Sequence, residues 1–82
     1  MLGRMPKTRS EIEGLLLAEL RAEDACQGAA GVFVMPFGDD LGEINWTVES
    51  YDVGSAPMWE CQSALDAIVP RFQSFYELVQ KH

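Results

Sequence analysis

Histidine occurs once in this 82-residue chain, as the terminal His82, and cysteine twice, as Cys26 and Cys61. A triad that sets an imidazole between nucleophile and acid therefore has no imidazole in the body of the sequence, and two thiols with one terminal histidine are not a tetrahedral zinc set at any usual spacing. The patterns GxGxxG, Walker-type GKS/T and HExxH are absent. No cofactor, no metal and no catalytic residue is expected, and the chain reads as a non-enzyme. Nothing basic or histidine-like lies near Cys26 to activate a thiolate. With no export signal, both cysteines are expected as reduced thiols, Cys61 packing as a small hydrophobe.

Positive charge is scarce as well. Thirteen acidic residues stand against six basic ones, for a net charge of −7, and Arg4, Lys7 and Arg9 all fall within the first nine positions. From Ser10 to Gln80 only Arg21 and Arg71 oppose all thirteen carboxylates. Such a body repels phosphate backbones, since nucleic-acid binding depends on Lys and Arg releasing condensed counterions, so no nucleic-acid partner is expected. The leading basic residues read as a flexible solvated arm over 1–9, followed by a single globular domain over 10–82. Met5, ahead of PKTRSE, offers a second start, which makes residues 1–4 a candidate extension.

Long apolar runs are also missing. The longest near the start, Leu15 to Ala18, is far too short for a signal h-region or a membrane span, so no membrane partner is expected and the location reads as cytoplasmic. The carboxylates Asp39, Asp40 and Glu43, with Glu49 and Asp52 farther on, are the one group able to attract a hard cation, but DDLGE does not match an EF-hand loop and reads as a solvated turn. Asn45-Trp46-Thr47 has the form of a glycosylation acceptor and is set aside, since it falls in a strand of a chain without a leader.

What is present is pattern. Met58, Cys61, Leu65, Ile68, Phe72, Phe75 and Val79 follow at alternating steps of three and four, one stripe of a long helix. Pro70 falls opposite the middle of that stripe, where its ring and missing N–H are absorbed by a bend around a core; the spacing predicts one curved helix. Earlier, Ser10 with Glu13, or Thr8 with Glu11, has the form of a capping box opening a helix to about Glu23 or Asp24. Ile12, Leu15, Leu16 and Leu20 form its apolar arc, into which Glu19 and Glu23 project. Glu19 is then either a buried acid or a rim carboxylate reaching solvent.

Gly28 and Gly31 end this segment, and Val32 to Phe37 reads as a strand apolar at both parities, with Pro36 confined to a strand end or an edge. GDDLG supplies a hairpin turn. The following strand, Glu43 to Tyr51, puts Ile44, Trp46 and Val48 on one face and Asn45, Thr47, Glu49 and Tyr51 on the other. Asp52 to Ser55 breaks the chain, with Ser55 as a cap and Pro57 in the first turn of the final helix.

The expected fold class is α+β, in the order α-β-β-α, with a two-stranded antiparallel hairpin packed on two helices, the second long and curved at Pro70. A chain of this length buries only roughly 60–65% of its unfolded surface, so a second copy would help it. If Val32 and Val34 join Trp46 inside, then Phe33, Met35 and Phe37 face outward, as a subunit interface requires. Trp59, off the stripe, is a candidate anchor for a partner or a cover folded over the 52–56 loop. The function expected is an acidic protein-protein interaction or regulatory module acting as a homodimer. The alternative is small-ligand binding in a cleft between helices and hairpin, lined by Trp46, Phe72, Phe75 and Tyr76 with Glu19 as polar anchor.

Overall fold

The structure is a computed structural model that describes residues 4–37 and 45–79. The expectations for the GDDLG turn, for Asp39, Asp40, Glu43 and Ile44, and for His82 lie outside the described residues. The order of elements is β1 (Met5–Lys7), α1 (Arg9–Arg21), a 3-10 turn (Asp24–Cys26), β2 (Gly31–Pro36), β3 (Trp46–Asp52), α2 (Met58–Phe75) and β4 (Tyr76–Leu78). The chain is an α+β protein with an antiparallel β2–β3 hairpin and a second, parallel pair β1–β4.

Of the two candidate capping boxes, Thr8 and Glu11 form it. The Glu11 N–H donates to Thr8 Oγ1 at 3.3 Å, and the Thr8 N–H donates to Glu11 Oε1 at 2.8 Å. Glu13 is drawn elsewhere, its Oε2 accepting the Val34 N–H at 2.9 Å. Ile12, Leu16 and Leu20, four apart, are the buried line of α1, which lies against β2 and α2. The helix stops at Arg21, short of Glu23, because the chain turns back through the 3-10 segment.

Helix α2 runs through Pro70 without interruption and buries Cys61, Leu65, Ile68 and Phe72. The two ends of the expected stripe do not follow. Met58 and Phe75 are exposed, and Val79 is not helical, since the backbone turns extended at Tyr76 and Leu78 takes the core position instead. Tertiary hydrogen bonds account for this. The Trp46 indole Nε1 donates to the Tyr76 carbonyl at 3.0 Å, and Asn45 brackets Leu78, donating to its carbonyl at 2.8 Å and accepting its N–H at 2.9 Å. Met5, Pro6 and Lys7, expected within a basic arm, form β1 opposite Tyr76, Glu77 and Leu78. Ser55 does not cap α2; Pro57 occupies that position without a side-chain hydrogen bond.

The hairpin carries a bulge. Phe33 faces Ser50 while Val34 faces Val48, so Glu49 is an extra residue in β3. Beyond it the parity reverses: Tyr51, expected on the outer face, stands opposite Val32 and packs against the core with Val48. Val32, Val34 and Trp46 are buried under the helices.

Cys26 and Cys61 are joined by a disulfide, which corrects the expectation of two reduced thiols. The 3-10 turn is laid against the first turns of α2, bringing the two Cα atoms to 5.7 Å, inside the usual bridging range, although 35 positions separate them in sequence. Beside the bond two loops touch: Gly54 has φ +59, and a Cβ there would overlap the Gly28 carbonyl oxygen, so only glycine fits.

Candidate interaction surface

The outer face of β2 presents Phe33, Met35 and Phe37, at 46%, 38% and 48% exposure. Period-two geometry sets them on one side of the strand, with Ser50 opposite Phe33 and Thr47 opposite Met35. The Phe37 N–H donates to the Asn45 carbonyl at 3.0 Å, continuing the ladder to that end. Gly31 shares this face, and a Cβ on it would sit 3.0 Å from the Phe33 ring; the absence of a side chain lets the ring lie along the strand. Arg9 reaches the same region: Nε donates to the Val34 carbonyl at 2.8 Å, and Nη2 is 3.9 Å from Glu49 Oε1. An ion pair thus crosses β2 at the level of Val34.

The strand edges are covered where the face is not. At the β2 edge, Val34 has its N–H held by Glu13 and its carbonyl by Arg9, and Pro36 has no N–H to offer. At the β3 edge the bulge disrupts the ladder, and the Trp46 carbonyl accepts from Gln73 Nε2 at 2.8 Å. Both devices are ways in which sheet proteins avoid edge-to-edge pairing. The Asn45 amide is held at both ends by Leu78, so the acceptor-like Asn45-Trp46-Thr47 sequence has its asparagine engaged in the fold.

The remaining sequence candidates fall in three places. Trp59 is 81% exposed beside exposed Met58, so it does not fold over the 52–56 loop. Trp46, Phe72 and Tyr76 are contiguous: the Phe72 and Tyr76 rings meet edge-on at 5.5 Å, and Trp46 bonds the Tyr76 backbone. Trp46 has no exposed surface and Phe72 little, so neither offers a face to a ligand arriving from solvent. Glu19 lies on the surface, half-exposed, with Arg71 Nη2 donating to its Oε2 at 2.7 Å. It is a rim carboxylate; α1 reaches Arg71 across the seam with α2.

A groove of about 380 Å³ opens between β3 and α2, a cleft between helix and hairpin but not lined by the residues expected: Val48, Leu65, Val69 and Pro70 are its apolar lining and Thr47, Glu49, Tyr51, Gln62 and Asp66 its polar lining. The i, i+4 pairing of Gln62 and Asp66 was readable in the sequence, but Tyr51 joins them only because of the bulge. Among the described residues there is no group of three or more metal-ligating side chains, and no helix is long and apolar enough to cross a membrane. No protein family, no curated protein and no solved structure matches the chain.

Proposed function

We propose that the chain is a small protein-protein interaction or regulatory module that acts as a homodimer, two copies joining through the outer faces of their hairpins. The observation that carries this reading is the run of Phe33, Met35 and Phe37 on one open face of β2. The covered strand edges support a face-to-face contact over a sheet extended edge to edge. The reading includes α-β-β-α packing with α2 bowed at Pro70, no catalytic role, and no nucleic-acid partner on grounds of charge.

Magnitudes make the contact weak. Six half-exposed large side chains, gaining about 1 kcal/mol each from further burial, are set against an association cost of several kcal/mol. Net charge −7 on each copy opposes the approach further. The dimer therefore belongs in the micromolar to millimolar range. Sedimentation equilibrium from about 10 μM to 1 mM, in low and high salt, tests it. A reversible dimer that strengthens as salt screens the like charges is the expected result. Monomer throughout that range at high salt would rule it out.

A further inference from the structure

The groove between β3 and α2 lies on the helix side of the hairpin, and Thr47 and Glu49, which border the face assigned to self-association, also line it. Its volume of about 380 Å³ falls within the range of small-ligand sites. Its polar wall exists because Glu49 is an extra residue: beyond the bulge Tyr51 turns toward α2, and its hydroxyl donates to Gln62 Oε1. Gln62 Nε2 in turn donates to Asp66 Oδ1 at 2.9 Å. The groove's apolar lining comes from Val48 on β3 and from Leu65, Val69 and Pro70 on α2.

The side chains lining the groove decide what it can take. Tyr51 has one hydroxyl proton, spent on Gln62, and Gln62 spends an amide proton on Asp66. What is left is one Gln62 amide proton and the Thr47 hydroxyl as donors, against the carboxylates of Asp66 and Glu49; Glu49 is shared with Arg9, and none of the three ion pairs among the described residues involves Asp66. A carboxylate short of donors beside an apolar lining, on a chain of net charge −7, favours a cation with a hydrocarbon body.

We propose that this groove binds a small amphipathic amine, its ammonium group on Asp66 and its hydrocarbon portion over Val48, Val69 and Pro70. The charge supplies selectivity and the apolar lining supplies contact area, while the Tyr51–Gln62 link holds strand and helix at the spacing the ligand needs.

Titration of isotope-labelled protein with 2-phenylethylamine, followed by amide and methyl NMR, tests the assignment, with 2-phenylethanol and 3-phenylpropionate as neutral and anionic counterparts. Saturable shifts are expected at the Val48 and Val69 methyls and the Gln62 side-chain amide. The alcohol should bind at least about fivefold more weakly, the scale of one solvent-exposed charge-assisted contact, and the carboxylate more weakly still. Asp66→Asn, a surface change checked for fold by circular dichroism, should bring the amine down to the level of the alcohol and leave the alcohol unchanged. Equal binding of amine and alcohol, a preference that survives Asp66→Asn, or the absence of saturable shifts at these residues would each overturn the proposal.

Discussion

Tyr51 stands directly across the hairpin from Val32, and its hydroxyl donates to Gln62 on the facing helix. Strict alternation from Trp46 would have sent the same ring to the opposite side of the sheet. Removing the extra residue, Glu49, leaves a regular ladder with Val48 opposite Val34, Ser50 opposite Phe33 and Tyr51 opposite Val32, so the deletion should keep Tyr51 facing α2 and retain its link to Gln62. Urea unfolding should show a loss of at most about 1 kcal/mol for the deletion, which removes an exposed ion pair with Arg9. Tyr51→Phe, which keeps the ring and loses only the hydrogen bond, should cost about 0.5–1.5 kcal/mol. A deletion that costs about 2–3 kcal/mol, the worth of one buried aromatic, would mean that Tyr51 does not keep its place opposite Val32.

Self-association should be separable from folding. Met35→Lys places a charge in the middle of the outer face, where the native side chain is already partly in water. The variant is expected to sediment as a monomer at concentrations where the parent dimerises, with a monomer stability within about 0.5 kcal/mol of the parent, as is usual for surface changes. An unchanged dimer would move the interface away from this face.

The Cys26–Cys61 bond closes a loop between residues 35 positions apart in sequence. In the chain-entropy account a loop of that size contributes about 3–4 kcal/mol, mainly by restricting the unfolded chain. A dithiol reductant should therefore lower the urea midpoint sharply, and the Cys26→Ala, Cys61→Ala double variant should show no further response to it. Intact-mass measurement on protein taken from its own cell also bears on location. A mass lighter by two hydrogens than the reduced chain marks an oxidising compartment, and free thiols mark the cytoplasm.

Glu13→Ala removes the acceptor for the Val34 N–H and opens the β2 edge. Stability should fall by about 1–2 kcal/mol, the usual cost of a part-buried donor left unsatisfied. Light scattering on storage should also rise relative to the parent, because the freed edge can pair with another chain. Lost stability without increased scattering would assign Glu13 a local role alone.

Glu19→Gln weakens a surface ion pair with Arg71 and leaves a side chain of the same shape. The expected loss is at most about 1 kcal/mol. A larger change, in either direction, would show that the carboxylate is more deeply engaged than its exposure indicates.

How far each element could be read depends on the reach of the forces that form it. Thr8 and Glu11 cap α1 through contacts three residues apart, and Leu65, Ile68 and Phe72 line α2 by a spacing written in the chain itself. Trp46 is buried on the parity expected of it, before the bulge intervenes. Phe75 and Val79 continue the same periodic pattern, yet the helix ends between them, because Trp46 and Asn45 hold the backbone of Tyr76 and Leu78 from thirty or more residues away. The bulge at Glu49 left no mark of composition, since an inserted residue in a strand is defined only by its partner strand.

Short-range chemistry, then, was enough to specify the acidic composition, the two helices and the apolar ribbon. Tertiary structure alone decided that Cys26 meets Cys61, that Met5–Lys7 pairs with Tyr76–Leu78, that Trp59 stays in solvent, and that Tyr51 and Asp66 share a groove. The first set depends on side-chain periods and caps within a few residues. The second depends on which distant segments come to lie against each other, and that is settled only when the whole core packs at once.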